Sequence, residues 1–349
     1  MRTLGNFLAA VCAIFFIITG VLALLFFNIE RKAFSAETYK QAFERLQLYD
    51  RMPRILADAL TTAIAQNQLA STYLKSFPVQ NWESAISTLV PPEELKVLAN
   101  STLDSTFDYL NSRTDSAVIS ILPLKSHLVG PAGVDAILQL LHTQPVCTVD
   151  QIIELTFAVI SGGDLIFCNP PPDAVEIVRP LIQSQLQTMT VAFPNEITLI
   201  STAQAGTPED PRLNLRLARS IMQITPLFPM AFLLGLTIFA VRTLIDWLKW
   251  WGWPFLLTGI ISILIAIPGA SIFGYVFQLL MESQGFGFLP PLLLSTLRET
   301  VSAIVDEILG PVALVGFALM GLGLMMILVG AFLTYTRRER TIPRSPPRW

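Results

Sequence analysis

The chain is poor in charge: Asp, Glu, Lys and Arg make up 14% of its 349 residues, against about 25% in soluble globular proteins. With 52% hydrophobic residues and a mean hydropathy of +0.57, a large share of it must sit in lipid. Histidine is scarcer still. His127 and His142 are the only two, and neither lies in an HExxH or CxxCH pattern, so each reads as an ordinary surface or capping residue. Three cysteines without a histidine pair nearby do not make a zinc site, and no CxxC redox pair is present. The nucleophile elbow GxSxG, the phosphate loop GxxxxGK and a GxGxxG opening a βα unit are all missing. Ser161-Gly162-Gly163 has only the outline of a catalytic turn, and helix termination accounts for it. A net charge of −3 and no basic face interleaved with aromatics argue against a nucleic-acid partner. No catalytic, cofactor-binding or metal-binding residue is therefore assigned, and the chain reads as non-enzymatic.

What the chain has in abundance is long uncharged runs. Residues 4–27 (LGNFLAAVCAIFFIITGVLALLFF) carry no charge, and about 20 apolar residues cross the hydrocarbon core. The run is too long for a signal-peptide core and no small-x-small cleavage site follows it, so 1–27 is read as an uncleaved signal anchor. Val11 before Cys12 does not suit a lipobox, which leaves Cys12 as a thiol in a helix. The second span is expected at about 224–241, with Pro226 and Pro229 near its start, where a helix tolerates them. The third covers 254–281 with Pro268-Gly269 and a kink at its middle, and the fourth lies within 310–336. None of these runs contains Asp, Glu, Lys, Arg or His, whereas ion and proton pathways usually place such a residue in the membrane. Ala266, Ala270 and Gly274 form a ridge of small residues that lets helices pack closely. Gly316, Gly321, Gly323 and Gly330 offer the same on span four.

Orientation follows from the basic residues. Arg337, Arg338, Arg340, Arg344 and Arg348 follow span four, which puts the tail 337–349 in the cytoplasm by the positive-inside rule. Four spans then place the N-terminus inside as well, and residues 28–222 outside, in the plasma membrane. Arg31, Lys32, Arg212, Arg216 and Arg219 fall on the outer side in this arrangement, but long domains translocate largely regardless of charge. In segment 223–253, span two is followed by Trp247, Trp250, Trp251 and Trp253, an indole belt for the interface, where Lys249 can reach anionic headgroups.

Residues 28–222 read as a mostly α-helical extracytoplasmic domain. Tyr39, Ala42, Phe43, Leu46 and Tyr49 form one apolar stripe. A second helix is expected to start at Pro53, and a third at Pro91-Pro92-Glu93-Glu94 that runs to about Leu110. Asp104 and Asp108 read as a solvated face rather than a carboxylate pair. Ala117–Leu122 and Ile197–Ile200 are rich in branched residues and are expected to pair as a small β ribbon. Between Cys147 and Cys168, Thr148 with Gln151 fits a capping box, and Asp173 with Glu176 is expected to cap the next helix. A Cys147–Cys168 disulfide would contribute about 3 kcal/mol and fits an oxidising compartment. The loop 282–309 carries an amphipathic helix whose stripe (Leu293, Leu297, Val301, Ile304, Val305, Ile308) is expected to dock on the domain.

The fold class is thus a mainly α membrane protein, with four transmembrane helices, a mostly helical extracytoplasmic domain and a small β ribbon. Its partners are the lipid bilayer and a protein partner or second copy, met through the external domain or the membrane helices. The expected function is a non-enzymatic envelope protein whose outer domain binds a partner or ligand. The alternative is a subunit of a transporter or channel built from oligomerised four-helix units, with Pro268-Gly269 as a broken helix. An enzyme acting on lipid or wall material has only scattered acids such as Glu154 and Asp164 behind it.

Overall fold

Among the described residues, four helices are long and apolar enough to cross a membrane: Leu4–Ala33, Arg212–Ala240, Leu244–Met281 and Pro291–Arg337. The structure, a computed structural model, describes residues 2–66, 75, 77–148, 150–151, 168–201, 212–283 and 290–340. It is mostly helical with one two-stranded sheet, as a multi-pass membrane protein with a helical domain requires. The chain divides into two compact units: Met1–Thr38 with Glu209–Val276 and Val301–Trp349, and Tyr39–Pro208 with Phe277–Thr300.

The first unit holds the apolar helices. Helix α1 is Arg2–Ala33. It lies along a second helix, Leu227–Ala240 (α10 in chain order), where Phe15 stacks on Phe232 at 5.3 Å between ring centroids. Gly235 leaves room for the Cys12 sulfur. Ahead of α10 comes the short α9, Arg212–Ile224, and a turn at Thr225-Pro226 separates the two. Span two, expected at about 224–241, is thus α10, and α9 stands ahead of it as a separate helix. Arg219 of α9 donates to Glu30 Oε1 of α1 at 3.0 Å, Gln223 donates to the same oxygen at 2.9 Å, and the guanidinium sits over the Phe34 ring. Glu30 is buried, so these donors supply what water would otherwise give it.

The next helix, α11, is Leu244–Ser283. It takes in the whole Trp-rich segment, so the sequence expectation of an interface stretch ending at 253 and a span starting at 254 is replaced by one helix. Thr243 caps it through Asp246 N and is bonded in turn to Asp246 Oδ2. The last helix, α12, is Pro291–Arg340 and fuses the external loop helix with span four. At 1.5 Å per residue its 50 residues run about 75 Å, more than twice the hydrocarbon thickness. Pro311 lies inside it, and the helix continues past it.

Helices α11 and α12 pack antiparallel along a seam of glycines. A β-carbon on Gly252 would strike Ile327 and Gly323 O, one on Gly259 would strike Gly316 O and Met320, and one on Gly269 would lie 2.5 Å from Leu309 Cδ1. The contacts of Gly252 and Gly259 are seven residues apart, two helical turns, and that of Gly269 follows ten residues on, rather than along the four-residue ridge Ala266–Ala270–Gly274. Ala266 keeps the seven-residue phase of Gly252 and Gly259 and is buried, Gly274 is buried, and Ala270 is half-buried. On α12, Gly316, Gly323 and Gly330 follow the same seam, while Gly321 faces open space.

The second unit begins with α2, Ala36–Arg45, and α3, Leu48–Gln66. The break falls at Gln47, which has φ +49°, and Pro53 lies inside α3 rather than opening it. There follow α4 (Val79–Leu89), α5 (Pro92–Leu110), β1 (Ser116–Ser120), α6 (Leu122–Val129), α7 (Pro131–Leu141), α8 (Pro172–Val191) and β2 (Glu196–Ser201). The strands pair antiparallel with a bulge between Ala117 and Val118, the ribbon expected from the sequence. Its core is Val134, Leu138, Leu141 and Leu186, with Leu128, Ile137, Val175 and Ile182 packed around them. Asp104 is held by Lys40 at 2.7 Å and Asp108 by Arg113 at 3.0 Å, so the two carboxylates serve separate ion pairs. The first turns of α12 belong to this unit, and Glu299 meets Arg51 at 2.8 Å.

Candidate functional site

The second unit carries a cleft of about 210 Å³ between the end of α4, the first turns of α5, the end of β1 and α6. Its position follows from local sequence. Pro91 precedes α5 and Pro92 opens it, which leaves Glu93 and Glu94 in the first turn, where the helix dipole favours acids. Helix α6 ends at Gly130, in extended conformation, and Pro131 starts the next helix. That stop fixes His127 in the last turn of α6, where the dipole favours a cation. His127 Nε2 lies 3.5 Å from Glu94 Oε1, closing one rim of the cleft.

The floor is apolar: Leu89, Val90, Leu98 and Leu124 line it, with Val97 at the edge. Val97 is 59% exposed. Ser101 and Ser120 add two hydroxyls to the wall. Ser101 Oγ donates to Leu98 O at 2.9 Å, so its proton is engaged within the helix and it has no activated character. An apolar body with one polar end fits such a lining: the body on the aliphatic floor, the end on the Glu94–His127 pair.

Beside the cleft, aromatic and ionic contacts fix α2, α3 and α5. Tyr39 packs on Phe107 at 4.8 Å. Tyr49 donates to Asn100 Oδ1 at 3.1 Å, and Lys96 bonds Glu44 at 2.6 Å. Burial pushes the Tyr39 phenol above the ordinary range. Burial also raises Tyr49, helped by Glu44 and opposed by Lys96. The hydrogen bond to Glu44 is the main cause that raises Lys96.

The cysteines expected to bridge do so: Cys147 and Cys168 are disulfide-bonded with Cα atoms 5.0 Å apart. The two strands of chain also meet through Cys147 N to Asn169 O and Asn169 N to Pro145 O, both 2.9 Å. Asn169 Oδ1 lies 3.0 Å from His142 Nδ1. The capping box is present in both directions, Thr148 N to Gln151 Oε1 and Gln151 N to Thr148 Oγ1. Ser161-Gly162-Gly163, Glu154 and Asp164 lie outside the described residues. Helix α8 starts at Pro172 behind Pro171, so Asp173 sits in its first turn rather than capping it.

The four tryptophans do not act alike. Trp247 and Trp251 pack on each other at 5.1 Å, Trp251 reaches Phe255 at 5.7 Å, and its Nε1 donates to Thr237 Oγ1 at 3.1 Å. Trp250 and Trp253 turn to the other side of α11 and line a separate cleft. Sequence reasoning missed the Glu94–His127 pair because the two are far apart in sequence and fit no motif. The usable signals were an acid in a first turn and a histidine just ahead of Gly130-Pro131. Comparison with protein-family models, with curated proteins and with solved structures gave no match.

Proposed function

We propose that the chain is a non-enzymatic envelope protein that holds residues 28–222 outside the cytoplasm and binds there a ligand with an apolar body and a polar end. The observation behind this reading is the aliphatic cleft of the second unit with Glu94 and His127 at its rim. The disulfide fits an oxidising compartment, and the arginine-rich tail favours a cytoplasmic C-terminus. The four apolar helices serve as the anchor. A thermal-shift screen of small amphiphiles on the full chain in nanodiscs tests the cleft, with Ser101→Trp as the filled control. A ligand should raise the melting temperature of the unaltered chain and leave S101W where it was. Equal shifts in both would remove the cleft from the account.

The alternative, a subunit of an oligomeric transporter or channel, drew on Pro268-Gly269 as an unwound segment. Helix α11 is continuous there and Gly269 seats Leu309, so no observation favours that reading over the first.

A further inference from the structure

A second cleft, of about 410 Å³, opens between α1 and α11 within the apolar unit. On one side it is lined by Ala10, Ala13, Ile14 and Ile17, and on the other by Trp250, Trp253, Pro254 and Leu257, with Lys249 at one end. Two alanines beside Ile14 and Ile17 hollow out the α1 wall. The stretch from Ala10 to Ile17 measures about 10 Å along the helix, the length of a run of acyl methylenes. Both walls belong to helices that meet bilayer chains rather than water, and a void there forfeits dispersion contacts along its whole lining.

The polar groups gather at one end only. Lys249 is exposed, and its stem passes Gly330 of α12, whose missing side chain leaves Cγ at 3.7 Å from where a β-carbon would stand. A lysine stem held on apolar surface with its ammonium at the interface is poised for a headgroup. Asp246, one turn away, is engaged by the Thr243 hydroxyl at the helix start. Pro254 has no N–H, so the carbonyl of Trp250 lacks its helical donor and can accept from a headgroup hydroxyl at the same end. Trp250 and Trp253 stand where indoles favour the interface.

We propose that this cleft binds one anionic phospholipid per chain, an acyl chain between α1 and α11 and the phosphate on Lys249. The claim is independent of the ligand cleft in the second unit and rests only on the apolar helices lying in a bilayer. The full chain, reconstituted in nanodiscs of equal phosphatidylglycerol and phosphatidylcholine, is released and weighed by native mass spectrometry. One retained lipid per chain is expected, phosphatidylglycerol favoured about fivefold, the worth of one interfacial lysine. Lys249→Arg should keep that preference, Lys249→Gln should abolish it, and Ala13→Phe should remove the retained lipid of either kind. Lys249 is exposed, so its variants report on recognition rather than folding. Equal retention of the two lipids by the unaltered chain would mean annular lipid only and would overturn the proposal. So would an unchanged preference in K249Q, or a second copy of the chain retained in place of lipid.

Discussion

Tyr39, Tyr49 and Lys96 all hold their protons more tightly in the folded domain than in the unfolded chain. A raised folded pKa contributes stability that is complete below the unfolded value and fades as pH climbs through the folded one. The second unit should therefore lose stability above about pH 10. Thermal melts across that range check the direction, and Tyr39→Phe should flatten the decline. The Cys147–Cys168 bridge closes a loop of sequence separation 21. Replacing both residues by serine should cost about 3 kcal/mol, read as a lower melting temperature that reducing agent does not lower further. The bridge was legible because two cysteines, a capping box and a proline run stand together in sequence. The Glu94–His127 pair was not, since each residue alone looks like ordinary helix-end chemistry and only the packing of α5 against α6 joins them.

Among the elements, the α11–α12 seam makes a positional prediction. Gly259→Leu or Gly316→Leu must force the helices apart and should cost about 1–3 kcal/mol. Gly321→Leu, which meets nothing within 4 Å, should be neutral. Heating in detergent with tryptophan fluorescence as readout distinguishes the two, and a G321L as damaging as G316L would refute the seam. Small residues on spans three and four were visible in sequence, but not which of their spacings makes the contact. That depends on the crossing of two helices, and here the seven-residue repeat of Gly252 and Gly259 prevails. Helix boundaries misled for a related reason. Gly310-Pro311 and Trp253-Pro254 look like ends, yet inside a bilayer every backbone group must find a partner, and the helix persists through a proline rather than open to lipid. The stop between α2 and α3 was hidden because Gln47 gives no hint of a left-handed conformation.

At the scale of the molecule, the apolar runs and the folded segment between them follow from composition and hydropathy alone, and four helices of the required length are present among the described residues. Which side the domain faces rests on the arginine tail and the disulfide together, two independent reasons pointing the same way. The most direct test places one exposed cysteine in each region in a Cys12→Ala background: Glu176→Cys on α8 and Arg337→Cys at the end of α12. Intact cells are treated with a membrane-impermeant maleimide. The account predicts that E176C labels in intact cells and R337C labels only after the membrane is opened. The reverse pattern, R337C labelled outside and E176C protected, would contradict it and put the domain in the cytoplasm.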